Sequence, residues 1–103
     1  MFLIQLLLPT RASTGQPFPN DVLGTTRAEL IEHFGGLTAY LRSPAAGAWT
    51  SPDGKVEEDS VVMIEVVADS FDRPWWRGYA ETLKRRFAQE SLHVRATAVE
   101  TLE

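Results

Sequence analysis

The chain has 103 residues, no cysteine and a formal net charge of −4 at pH 7. A chain of this length folds as one domain, so we assign residues 1–103 to a single unit. The absence of thiols excludes disulfides, cysteine metal sites and thiol nucleophiles. The acidic balance argues against nucleic acid as a partner, because such binding needs a basic surface.

An apolar run from Phe2 to Leu8 opens the chain, with Gln5 inside it and Pro9 after it. A secretory signal would carry a basic residue before this run and a small-residue cleavage site after it, and the sequence has neither. The run is also too short to cross a bilayer. We interpret it as a buried strand and expect a cytoplasmic protein without membrane contact.

A loop and a helix follow this strand. Thr10 to Leu23 is rich in Pro, Gly, Ser, Thr and Asn, which is typical of a loop. Thr26 and Glu29 have the spacing of a capping box, so the sequence predicts a helix that begins at Thr26. Apolar residues for one helix face come next: Leu30, Ile31 and Phe34. The pair Gly35–Gly36 predicts the end of the helix.

The middle of the chain predicts an antiparallel hairpin. Leu37 to Arg42 alternates between apolar and polar residues, as a half-covered strand does. Pro52-Asp53-Gly54 has the composition of a tight turn. Ser60 to Ala68 is β-branched and apolar on both alternating faces, which is typical of a central strand. Glu65 lies in the middle of this strand, where an ionised carboxylate is costly unless it is paired or hydrogen-bonded.

A second helix and a last strand complete the pattern. Asp72 and Pro74 are typical of a helix start. Apolar residues at helical spacing follow: Trp76, Tyr79, Ala80, Leu83 and Phe87. Leu92 to Leu102 alternates as a strand. The order βαββαβ predicts an α+β fold of the ferredoxin-like type, in which a four-stranded antiparallel sheet carries both helices on one face.

We expect different parts of the structure to cover the two faces of such a sheet. Val62, Ile64 and Val66 are expected to meet the helices, with Leu37, Ala39, Leu41, Val94, Ala96 and Ala98 beside them. The other face mixes apolar and polar residues: Leu3, Gln5, Leu7, Thr38, Tyr40, Arg42, Val61, Met63, Glu65, Val67, His93, Arg95, Thr97 and Val99. Monomers rarely expose so large an apolar patch, so we expect a homodimer that packs two sheets face to face. The alternative is cover by the chain itself, through the loop at 10–23 or the hairpin around Trp49.

Six polar residues of that face form the candidate site: Gln5, Tyr40, Arg42, Glu65, His93 and Arg95. Glu65 and His93 are the candidate catalytic acid–base pair, and the other four are candidate ligand-binding residues that suit a small organic anion. In the competing structural interpretation, Glu65 pairs with an arginine of a neighbouring strand and the rest border a dimer interface. We expect no metal and no other cofactor, because two histidines on different layers make a poor ligand set.

A resemblance extends over about half of the chain. Phe34 to Tyr40, then Pro44, Gly47 and Trp49, then Glu65-Val66 and Trp75-Trp76 resemble small uncharacterised bacterial proteins of the ferredoxin-like or dimeric α+β barrel type. Cofactor-free monooxygenases and isomerases that share this architecture imply an enclosed pocket. Three functions therefore stay open: a dimeric small-molecule-binding protein, a cofactor-independent isomerase or monooxygenase, and a protein-interaction module without a ligand.

Overall fold

The computed structural model describes residues 1–36, 38–50 and 56–102, with side chains described for 1–36 and 61–102. Its elements follow the order β1 (Phe2–Pro9), α1 (Val22–Phe34), β2 (Thr38–Thr50), β3 (Val56–Ala68), α2 (Arg73–Arg86) and β4 (His93–Ala98). The α+β class is therefore present. Leu37 and the predicted turn at Pro52-Asp53-Gly54 lie outside the described residues.

All strand pairs of the sheet are antiparallel. β1 pairs with β3 on one side and with β4 on the other, and β2 pairs with β3. The strand order is β2-β3-β1-β4, so β1 and β3 are the inner strands. They are also the two most apolar runs of the sequence, which suits strands with neighbours on both edges.

The expected regular four-stranded plait of the ferredoxin-like type is wrong as a description of this sheet. In the described part of the chain, four strands are paired side by side only in the rows of Gln5, Leu6 and Leu7. Among the described residues, β2 has no partner in the rows of Phe2 to Ile4 and β4 has none in the row of Pro9, so three strands are paired in each of these rows. The structure therefore supports an α+β fold with two helices and an antiparallel sheet of uneven width.

Strand length explains the difference. β2 and β3 have 13 residues each, whereas β1 has 8 and β4 has 6. The sequence predicted hairpin strands at Leu37–Arg42 and Ser60–Ala68, both of them shorter. The extra length continues beyond β1 as a two-stranded ribbon that reaches the pair Thr50–Val56.

Only one of the two helices starts at the residue that the sequence predicted. α1 begins at Val22, because the Asp21 carboxylate accepts the Gly24 backbone N–H at 2.9 Å. Thr26 is buried instead, and its hydroxyl donates to the Val22 carbonyl at 2.7 Å, so the predicted capping box is wrong. α2 starts as predicted, with Asp72 as cap and Pro74 in the first turn.

The core lies between the helices and one face of the sheet. Its strand residues are Ile4, Leu6, Leu8, Val62, Ile64 and Val66, and its main helix residues are Leu30, Trp76, Tyr79, Leu83 and Phe87. The predicted positions of Val62, Ile64 and Val66 against the helices are confirmed. Val94 and Ala96 of β4 pack against the same core, whereas Ala98 is exposed.

A polar network joins the two helices; we call it the interhelix network and define it as Thr26, Glu29, Tyr79 and Arg86. The Arg86 guanidinium donates to the Thr26 hydroxyl at 2.9 Å and forms an ion pair with the Glu29 carboxylate. The Tyr79 hydroxyl donates to the same carboxylate at 3.3 Å. The buried Thr26 oxygen therefore has a donor as well as an acceptor, which removes the cost of burying it.

The loop between β1 and α1 lies on the helix side of the sheet. The Phe18 ring packs edge-on against the Phe87 ring, with centroids 5.4 Å apart, and Phe87 is fully buried in the core. A loop that is anchored there does not cover the other sheet face. Within the described ranges, no helix is long and apolar enough to cross a membrane.

Candidate functional site

The candidate site lies on the sheet face that turns away from the helices, which we call the open face. Its described members alternate along the strands with core residues: Leu3, Gln5, Leu7, Val61, Met63, Glu65, Val67, His93, Arg95 and Thr97. Most side chains of the inner strands are half-buried there, and Val67 is 48 % exposed. His93, Arg95 and Thr97 on the outer strand β4 are exposed.

Three of the predicted site residues meet in one row across this face. The register aligns Arg95 of β4, Gln5 of β1 and Glu65 of β3. The Arg95 Nε donates to the Gln5 Oε1 at 2.7 Å, and the Gln5 Nε2 donates to the Glu65 Oε2 at 3.0 Å. We call these three residues the polar row.

Gln5 is the residue that makes this arrangement possible. A side-chain amide presents an acceptor oxygen and a donor nitrogen, so it accepts from the guanidinium on one side and donates to the carboxylate on the other. Glu65 is therefore hydrogen-bonded to an amide. The described ion pairs, Lys84–Glu81 and Arg86–Glu29, do not include Glu65, so the direct arginine–Glu65 pair of the structural interpretation is absent among the described side chains.

His93 lies opposite Leu7, two rows from the polar row and on the same face of the sheet. β1 separates His93 on β4 from Glu65 on β3. Neighbouring strands are about 4.8 Å apart, so the two backbones are about 10 Å apart across the sheet alone. Direct proton transfer needs heavy atoms within about 3.2 Å. The fold does not bring the candidate catalytic pair into hydrogen-bonding register.

The side chains of the two remaining candidates, Tyr40 and Arg42, lie outside the described residues. The Tyr40 backbone pairs with Met63, which places it in the same row as Leu7 and His93. Arg42 falls within the register shift between Tyr40 and Ala45. The roles of both residues stay predictions.

The fold and the open face together define a small α+β protein in which both described helices pack on one face of the sheet. No protein-family model and no curated protein matches the chain. Among solved structures, a phage SAM lyase in complex with S-methyl-5′-thioadenosine is similar, with a TM-score of 0.62, 13 % identity and coverage of 93 % of this chain and 79 % of that chain. A phage SAM lyase in the apo state has a TM-score of 0.60 and 17 % identity, with coverage of 93 % and 78 %.

A variant of CutA1 from Pyrococcus horikoshii OT3 is similar to the whole chain. The TM-score is 0.60 at 12 % identity, with coverage of 100 % of this chain and 87 % of that chain. Identities this low show the fold alone. The comparisons therefore support the coarser part of the expected resemblance, a small α+β fold.

Proposed function

We propose that the protein binds a small organic anion on the open face, over the polar row, and that a second copy of the chain covers this face. The polar row is the observation that carries the proposal. It sets a guanidinium, an amide and a carboxylate among the half-buried apolar residues Leu7 and Met63. Ligand sites have this composition, a few placed polar groups in an apolar surround.

The anionic character follows from Arg95. This residue is exposed, and its recorded side-chain bond uses only Nε. A guanidinium has five N–H donors, so the terminal amino groups can hold a carboxylate in a bidentate geometry. His93, two residues earlier on the same face of β4, adds an imidazole N–H donor.

The structural comparison supports a small ligand in general terms. One protein of similar fold was solved with S-methyl-5′-thioadenosine, so this architecture is compatible with binding a small organic molecule. No residue of that protein is transferred to this chain, and the preference for an anion rests on Arg95 alone. We do not favour the isomerase or monooxygenase alternative, because it depends on the Glu65–His93 pair that β1 separates.

The test is calorimetric titration with succinate, 2-oxoglutarate, the neutral succinamide and S-methyl-5′-thioadenosine. We expect at least one carboxylate to bind, and Arg95→Gln to weaken its binding at least tenfold, because the substitution removes the bidentate charge-assisted contact. Arg27→Gln is the matched control, because Arg27 is an exposed arginine of α1. Binding of these non-aromatic carboxylates that Arg95→Gln leaves intact, or that succinamide shares with succinate, would contradict the proposal, as would the failure of every carboxylate to bind.

A further inference from the structure

A groove on the other side of the molecule, between α2 and β4, is independent of the open face. It has a volume of ≈ 380 Å³, which lies within the range of small-molecule sites. We call it the α2–β4 groove. Its apolar lining consists of Phe71, Trp76, Ala80, Leu92 and Val94. Because Val94 and Arg95 are consecutive in β4, they point to opposite faces of the sheet.

Two arginines, Arg73 and Arg77, also line this groove. They are four residues apart on α2, where like charges repel. Arg73 lies in the first turn of the helix, directly after the cap residue Asp72, whose carboxylate accepts the Trp75 N–H at 3.2 Å. Its recorded partner is the ring of Phe71, with the guanidinium carbon 5.3 Å from the centroid. Arg77 has no ion-pair partner among the described side chains.

The spacing of the two arginines favours an anion. A negative group between Arg73 and Arg77 would reduce the repulsion between their like charges and would accept charge-assisted hydrogen bonds from both guanidinium groups. The nearby apolar lining provides contact area for the rest of such a molecule. β4 is an edge strand whose recorded partner is β1, so the groove is accessible from the edge of the sheet.

We propose that the α2–β4 groove binds a compact aromatic anion, a carboxylate or a phosphate monoester. Its ring packs on the partly exposed Leu92 and Val94, and its acidic group lies between Arg73 and Arg77. A compact ligand fits these observations better than a peptide that extends the sheet, because both cations line the groove from α2 and not from the edge of β4. Carboxylate and phosphate share the chemistry that the arginines recognise.

Calorimetry with 2-naphthoate, 1-naphthyl phosphate and the neutral 2-naphthamide tests the proposal. We expect both anions to bind wild-type protein, the tighter one identifying the acidic group, and 2-naphthamide to bind at least tenfold more weakly. The double variant Arg73→Gln/Arg77→Gln should lose at least tenfold in anion affinity. The double variant Arg27→Gln/Arg85→Gln removes the same charge from exposed positions outside the groove and should bind as the wild type does.

A steric variant tests the position independently of charge. Ala80→Leu places three more carbon atoms in the groove and should also weaken anion binding. Equal binding of 2-naphthamide, or equal losses in the two double variants, would overturn the proposal. An acidic peptide that binds at β4 when neither naphthyl anion binds would overturn it in favour of strand addition.

Arg95→Gln separates this site from the open face. We expect it to leave naphthyl anion affinity unchanged. If Arg95→Gln abolishes binding and the Arg73/Arg77 double variant retains it, the anion occupies the open face and the groove proposal fails. Conversely, if Arg95→Gln retains binding in the groove, the groove proposal is supported even when no ligand is found for the open face.

Discussion

At the residue scale, Arg86 connects the two helices through charge-assisted hydrogen bonds. Arg86→Met keeps much of the aliphatic side chain but removes the donor from the buried Thr26 hydroxyl and from Glu29. We expect a loss of about 1–2 kcal/mol in the free energy of unfolding at pH 7, the lower part of the range for bonds to charged groups, because Glu29 is partly exposed. Urea denaturation measures this loss.

The same variant has a pH signature. The hydrogen bond from Arg86 lowers the pKa of Glu29 below its ordinary value of 4.5. A carboxyl group with a lowered pKa stabilises the folded state at pH values above its pKa in the unfolded state. This stabilisation is lost as the pH falls through its pKa in the folded state. The difference between wild type and Arg86→Met should therefore be larger at pH 7 than at pH 3. Arg85→Met, at the exposed neighbouring position, should change stability by less than about 0.5 kcal/mol, and an equal loss there would contradict the assignment.

Tyr79 gives the complementary alkaline prediction. Burial, together with the negative charge of Glu29, raises the pKa of Tyr79 from 10.0 to about 12. The folded state thus keeps a proton that the unfolded state releases above pH 10, so stability falls as the pH rises from about 10 towards 12. Tyr79→Phe cannot ionise, and its stability should decline less over this window, by up to about 2 kcal/mol. Parallel wild-type and variant curves from pH 9 to pH 12 would show this expectation to be wrong.

The polar row shows how far single residues could be predicted. The sequence identified Gln5, Glu65 and Arg95 as one group, because alternation along each strand assigns a face. It could not identify Gln5 as the link between the charges, because that depends on cross-strand register, which no spacing within one strand encodes. Glu29 was predicted as part of a helix cap. Its pairing with Arg86, 57 residues away, is a tertiary contact without a local signal.

At the element scale, the start of α1 depends on Asp21. Asp21→Ala removes the acceptor of the Gly24 N–H and should cost about 1 kcal/mol of stability by thermal or urea denaturation. Asp69→Ala is the control, since Asp69 is an exposed residue before α2 and outside both caps. Equal effects of the two substitutions would argue that lost charge, and not lost capping, is responsible.

The start of α1 was misplaced because Thr26 occupies a core position. Positions 22, 26 and 30 lie on one helix face, and a polar residue at 26 interrupts the apolar stripe that would have extended the prediction to Val22. Burial of Thr26 is possible because Val22 and Arg86 satisfy its hydroxyl. The spacing of Thr26 and Glu29 matches a helix cap, but both residues instead bind Arg86 on α2.

The lengths of the two hairpin strands were underestimated for a different reason. Residues 43–47 contain Pro44 and small residues, which are typical of a turn. The ladder instead resumes at Ala45, after a register shift that contains Pro44. Proline lacks the N–H that a ladder needs, so it is tolerated where the pairing is irregular. Local composition marked the irregularity correctly, but pairing with β3 continued beyond it.

At the scale of the whole molecule, two features favour self-association. The molecule measures 46 × 28 × 28 Å, and β2 and β3 extend past β1 as a two-stranded ribbon. Isolated two-stranded ribbons are only marginally stable in water, so contact with another surface would stabilise this one. The loop between β1 and α1 does not cover the open face, because its Phe18 packs on the opposite side of the sheet.

Val67 tests self-association without disturbing the fold. It is 48 % exposed on the open face, and Ile31, which is 46 % exposed on α1, is a matched apolar control. A lysine at position 67 of both copies would place two like charges in a face-to-face interface, so Val67→Lys should raise the dimer dissociation constant at least tenfold, whereas Ile31→Lys should not. Sedimentation velocity over a concentration series measures both. If wild-type protein sediments as a monomer throughout, the open face is not an interface. The same conclusion follows if Ile31→Lys dissociates the dimer as strongly as Val67→Lys, because an apolar surface of equal exposure elsewhere would then behave in the same way.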